Sequence, residues 1–199
     1  MVKIAITGGI GTGKSSLCRF FEDWGFPVIS ADKEAHKALM IESPLYPSLL
    51  KLFNKKPSDR LNPKEIAKDI FSNLNLKKKF ESIVHPYIFE SILKEEKKIK
   101  NHSHIFYEIP LLFETNLMDY FNWIILVTCS KNLQKERVIS KMHLSSEEAQ
   151  MRIDAQNPQE TKIESSDIVI ENNGSLNDLK QKAEDILEKL ALTKKDSSC

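Results

Sequence analysis

Residues 8–15 read Gly8-Gly9-Ile10-Gly11-Thr12-Gly13-Lys14-Ser15, the spacing Gly-x-x-x-x-Gly-Lys-Ser. Four of its residues are glycines in a chain that has only 6, so a chance glycine-rich turn is a poor account of it. The stretch follows an apolar run, Val2–Thr7, and precedes Lys14–Trp24, where Leu17, Phe20, Phe21 and Trp24 recur at helical spacing before Gly25. Strand, glycine loop and helix in that order form a phosphate-binding loop. Backbone N–H groups and the positive end of the helix face an anion there. Lys14 reaches the terminal phosphates of a nucleoside triphosphate, and the Ser15 hydroxyl is a magnesium ligand, since magnesium takes oxygen ligands and substrate phosphates together.

Outward from the loop, strands and helices alternate. Pro27–Ser30, His104–Ile109, Asn122–Cys129 and Asp167–Asn172 read as further strands. Ala31–Met40, Asn132–Ser140, Ser146–Gln156 and Leu176–Leu192 read as helices, and a long helical region covers Tyr46 to Lys100. Within it, Asn62-Pro63-Lys64-Glu65 is a helix start with a capping-box residue, and Pro86 predicts a kink or a break between two helices. The pattern is α/β: a parallel sheet covered on both faces, with a helical insertion between the second and third strands.

Composition sets the outer bounds. The chain has 199 residues, 41% hydrophobic and 29% charged, as expected of one globular domain with an insertion. A net charge of +1 argues against a nucleic-acid surface. No apolar run approaches a membrane span. Cys18, Cys129 and Cys199 form no CxxC pair and no signal peptide is evident, so the expectation is reduced thiols in a cytoplasmic protein.

The loop alone does not separate a kinase from a switch protein. Asp32 stands at the carboxyl end of the second strand, where ligands of open α/β sheets lie. A carboxylate there can take a proton from an attacking hydroxyl or hold magnesium through water; equally, it can cap the helix beginning near Lys33. Position alone divides evenly between the two. Arg137 and Lys141 share a helix face and Arg152 follows, cations of the kind a phosphoryl-transfer enzyme closes over its transition state, although each taken singly reads as an ordinary surface residue.

Several segments together resemble one family, the dephospho-CoA kinases. They are ITGGIGTGKS (6–15), VISAD (28–32), DRLNPKEIAKDIF (59–71), VHP (84–86), IPLLFE (109–114), ERVISKMHLSSEEAQMRIDAQ (136–156) and DIVIENNGSL (167–176). The resemblance implies a P-loop, nucleotide-kinase-like fold with a five-stranded parallel sheet. It divides the single domain into a core (about 1–40, 102–135 and 164–199), a helical CoA-binding insertion (about 41–101) and a lid (about 136–163). It implies transfer of the γ-phosphate of ATP, with Mg2+, to the ribose 3′-hydroxyl of dephospho-CoA. By resemblance, Gly11, Thr12, Gly13, Lys14, Ser15 and Ser16 cradle the ATP phosphates, with Asn173 near the base. Asp32 becomes the proposed base, and Arg137 a lid arginine that joins Lys14 and Asp32 in catalysis. Thr7, Arg60, His85, Leu112 and Glu114, with Asp32, form the acceptor site. ATP and dephospho-CoA are the expected partners, with no nucleic acid or membrane, and a monomer is favoured.

The chain departs from the family at three places, the mildest being Ser166-Asp167 in place of an alanine-aspartate pair before the last strand. Ser30-Ala31-Asp32 stands where Asp-Ala-Asp is frequent, and Lys141-Met142 where Arg-Asp is frequent. Lysine keeps the charge but loses the two-pronged geometry of a guanidinium. Two other classes share the loop. A nucleoside or nucleotide kinase would lack the HP and PLLFE segments; a guanine-specific switch would carry an N-K-x-D-like segment, which VTCSKN and IENNGS do not supply.

Overall fold

A computed structural model describes residues 1–191. Cys199 and the last residue of the expected final helix, Leu192, lie outside the described residues. The elements run β1 (Val2–Thr7), α1 (Lys14–Asp23), β2 (Val28–Ser30), α2 (Ala31–Ala38), α3 (Tyr46–Leu52), α4 (Pro63–Ser72), α5 (Leu74–Lys98), β3 (His104–Glu108), β4 (Trp123–Thr128), α6 (Lys131–Met142), α7 (Ser146–Asp154), α8 (Gln159–Ile163), β5 (Ile168–Glu171) and α9 (Leu176–Lys189).

The five strands form one sheet in the order β2-β3-β1-β4-β5. β1 pairs in parallel with β3 (Val2 opposite His104) and with β4 (Ile4 opposite Trp123); β4 pairs in parallel with β5. A central strand buried on both faces must be apolar throughout, and Ile4, Ala5 and Ile6 have no exposed surface. Around them Leu17, Phe21, Phe106, Ile125, Val127, Leu179 and Ala183 close a core in which the Phe21 and Phe106 rings stack at 4.0 Å. Burying a side chain of this size contributes roughly 1.5–3 kcal/mol each.

The chain divides into two compact units. One comprises Met1–Ile29 and Ile99–Cys199; the other is Ser30–Lys98. The second has its own core, with Ala38, Tyr46, Leu49, Leu50, Ile66 and Val84 buried together and Phe53, Phe80 and Ile88 packed against them. α2, grouped by sequence with the core, packs here on α5. Its buried Glu34 accepts from Lys37 Nζ at 2.7 Å and from the Ser91 hydroxyl of α5.

Two local readings differ from the structure. No break divides α5: the helix runs continuously from Leu74 to Lys98 with Pro86 inside it. The apolar stripe continues across the proline at Val84, Ile88 and Ile92, so packing holds both halves on one core despite the missing N–H. Asn62 immediately precedes α4, the place expected of its cap, and its amide donates to the Glu65 carboxylate at 3.4 Å. α8 was not expected from the pattern, being five residues long.

Candidate active site

The phosphate loop joins the end of β1 to the start of α1. Gly13 is the residue before α1 and lies in the left-handed region at φ 107°; a Cβ there would run into the Asn172 amide. Gly8, at φ 145°, lies so close to the Val127 carbonyl that no side chain fits. The loop's backbone is thus pressed against the ends of β4 and β5.

Lys14 is buried and its Nζ donates to the Gly9 carbonyl at 2.8 Å. The Ser15 hydroxyl donates to Glu108 Oε1 at 2.7 Å. Glu108 ends β3, the strand beside β1, which brings its carboxylate to the serine. A hydroxyl and a carboxylate oxygen side by side are the hard oxygen ligands that suit a magnesium ion carried on substrate phosphates.

A cavity of about 530 Å³ opens over the loop. Gly11, Gly13, Lys14, Ser15 and Ser16 line one side, and Arg137 and Lys141 of α6 another. Leu133, Leu176 and Leu179 add apolar surface suited to a flat ring system. Thr12, fully buried, turns its hydroxyl to the Gly9 carbonyl at 2.9 Å, so its side chain braces the loop from behind. Arg137 Nη1 donates to the Asn172 carbonyl at 2.9 Å, which holds the guanidinium at the cavity wall. Cys129 is buried next to it; burial pushes the thiol pKa up, opposed by the Arg137 charge and hydrogen bond.

Asn173, the sequence candidate for the ATP base, does not line this cavity. Its side chain accepts from Ser130 N–H at 2.7 Å and donates to Glu171 at 2.7 Å. The neighbouring Asn172 is the residue at the loop. It is buried, lines the cavity, and donates through Nδ2 to the Thr12 carbonyl at 2.8 Å. A run of two asparagines at a strand end does not reveal which one turns inward.

The remaining candidates fall in two places. In the first unit, Thr7 is fully buried and its hydroxyl has no hydrogen-bond partner. Leu112 has no exposed surface and is packed within the core. Glu114 is committed to an ion pair: Oε1 accepts from the fully buried Lys162 at 2.9 Å and from Asn157 N–H at 3.2 Å, while Oε2 is buried without a partner. Met142, at a departure from the family pattern, meets Arg152 Nη1 through its sulfur at 3.4 Å.

In the second unit, Asp32 is exposed in the first turn of α2. The cap of that helix is Ser30, whose side chain accepts from Lys33 N–H at 3.5 Å. The capping role weighed for Asp32 is therefore filled by another residue. Arg60 is exposed on a loop that Tyr46 organises, its hydroxyl bonding Asp59 O at 3.4 Å and Leu61 N–H at 3.0 Å. His85 is half-buried within α5, one residue before Pro86.

No helix among the described residues is long and apolar enough to cross a membrane. Comparison with known proteins matches the whole architecture. A sequence profile of the dephospho-CoA kinase family covers residues 2–178. A dephospho-CoA kinase from Streptococcus thermophilus is 34% identical over 192 residues, covering 94% of this chain and 98% of its own. A crystal structure from Thermus thermophilus superposes with a TM-score of 0.83 at 33% identity, over 95% of this chain and 97% of that one. The dephospho-CoA kinase from Campylobacter jejuni superposes with a TM-score of 0.69 at 29% identity, over 94% and 96%. With the profile spanning both units and the phosphate loop built as its sequence requires, this chain belongs to the dephospho-CoA kinase family.

Proposed function

We propose that the protein transfers the γ-phosphate of ATP to the ribose 3′-hydroxyl of dephospho-CoA, giving CoA and ADP. One observation carries the reading: Lys14, Ser15 and Arg137 line a single cavity at the phosphate loop of a chain matched by the family along most of its length. ATP lies with its phosphates on the amides of Gly11 to Ser16 and its base over Leu133, Leu176 and Leu179. Lys14 meets the β- and γ-oxygens, and Arg137 neutralises charge that spreads over the γ-phosphoryl group as the bond to ADP breaks. Ser15 and Glu108 would hold Mg2+, which supplies further neutralisation of the phosphate oxygens when bound.

Asp32 is the group that orients the 3′-hydroxyl and accepts its proton. Its place at the exposed start of α2, directly after the end of β2, supports that role. Thr7, Arg60, His85 and Glu114 belong to the acceptor side, Glu114 by holding its loop through Lys162. The segment of about 136–163 is the lid and that of about 41–101 the CoA-binding region. The protein works as a cytoplasmic monomer.

The test is ADP release from ATP and magnesium with and without dephospho-CoA, beside a panel of nucleosides and nucleoside monophosphates. Release that depends on dephospho-CoA is the expected result. Release driven by another acceptor would discard the acceptor assignment, and release independent of any acceptor would discard the kinase.

A further inference from the structure

The Gly9–Ile10 peptide group is held at both ends. Its carbonyl accepts from Lys14 Nζ at 2.8 Å and from the Thr12 hydroxyl at 2.9 Å. Its N–H donates to Gln156 Oε1 at 2.7 Å. A peptide group is planar, so fixing the N–H fixes the direction of the carbonyl. Gln156, 146 residues away in sequence, thereby sets the oxygen on which the Lys14 ammonium rests.

The surroundings support a built contact. Ile10's own carbonyl accepts from Gln134 Nε2 at 2.8 Å. A Cβ on residue 9 would lie 2.7 Å from Gln134 Nε2, so Gly9 leaves room for that glutamine, and at 3.6 Å it would be in ordinary contact with Gln156 Oε1. Gln156 itself is anchored. It follows the end of α7, its N–H donates to Ile153 O at 3.2 Å, and the next N–H, of Asn157, donates to the Glu114 carboxylate paired with Lys162. Gly11, immediately downstream, sits at φ 77°. Without a grip on the preceding peptide, that residue type allows the loop many other paths.

We propose that Gln156 is a positioning residue for Lys14, acting through the Gly9–Ile10 peptide. The inference rests on the reading of Lys14 as the cation that meets the ATP phosphates. It assigns to the segment after α7 a direct role in shaping the phosphate loop, beyond the role of its cations.

The experiment compares wild type with Gln156→Met, which keeps the side chain's length and removes the acceptor oxygen. Binding of a non-hydrolysable ATP analogue should weaken about five- to tenfold, the scale of one hydrogen bond. KM for dephospho-CoA should stay within about twofold, and the Ile10 amide should exchange its hydrogen faster. In a Lys14→Met background the same change should add no further loss, because the two act as one unit. Wild-type affinity with an unaltered Ile10 amide would overturn the proposal. So would an equal weakening of both substrates with a lowered Tm, the mark of a merely structural residue, or additivity with Lys14→Met. Analogue binding needs no acceptor, so a wrong acceptor would leave this test intact. A wild-type protein that fails to bind the analogue would remove the nucleotide reading and the proposal together.

Discussion

Asp32 occupies the second position of α2, where the helix's partial positive charge favours a carboxylate and the Ser30 cap leaves it unneeded for the helix end. A general base supplies typically 10²–10⁴-fold in rate, roughly 3–5 kcal/mol, and that is the role proposed for Asp32. Asp32→Asn should therefore lower kcat by about that factor with KM for ATP nearly kept; steady-state kinetics at saturating dephospho-CoA measure it, and near-full turnover would exclude the base. At this scale the octapeptide was legible because its chemistry is local: glycines, lysine and serine in one turn. Glu108, Asn172 and Gln156 were not legible as site residues. Their partners in the loop lie 93, 160 and 146 residues away, and only the sheet brings them together. A carboxylate at the end of the strand flanking β1 is a usable signal for Glu108, since ligands gather at those strand ends.

Among the elements, the strands were readable from their apolar runs, and the structure moves their ends by only a residue. α5 was expected to kink or break at Pro86; of the two the break does not occur, because the stripe of Val84, Ile88 and Ile92 continues past the proline. Replacing Pro86 by alanine restores an N–H and removes a ring clash, a gain of up to about 3 kcal/mol in a helix interior. The variant should unfold at higher urea, with the slope of the transition unchanged; a loss of stability would show that the ring itself is core. α8 escaped notice because its five residues are too few for a helical period. β3 opens on His104, whose pKa burial holds below the ordinary imidazole value of 6.5, with a further push from the N-terminal charge. The folded state thus binds this proton less readily than the unfolded chain. Its contribution is fully present above pH 6.5 and is lost as pH falls through the lower folded value. His104→Gln should therefore show a smaller drop in Tm between pH 7.5 and 5.5 than wild type.

Across the whole chain, distant segments are tied by few strong contacts. Lys162 is 1% exposed and its partner Glu114 stands 48 residues earlier. Removing the cation alone leaves a carboxylate with no counter-charge, and Lys162→Met should cost about 3–5 kcal/mol by urea denaturation. The double variant Lys162→Met with Glu114→Met should recover most of that loss; a double variant as unstable as the single would mean that packing, not charge, is what Lys162 supplies.

The order of strands has a consequence for synthesis. β1 leaves the ribosome well before its pairing partners, which begin at His104 and Trp123. For about a hundred residues of elongation, at 5–20 residues per second, this apolar strand waits unpaired. Residues 30–98, emerging in that interval, carry a core of their own and can collapse first. The sheet closes late, through contacts of high sequence separation, the kind that slow folding. A nascent chain halted between α5 and β3 is then the species most exposed to self-association, and the one on which a chaperone would act.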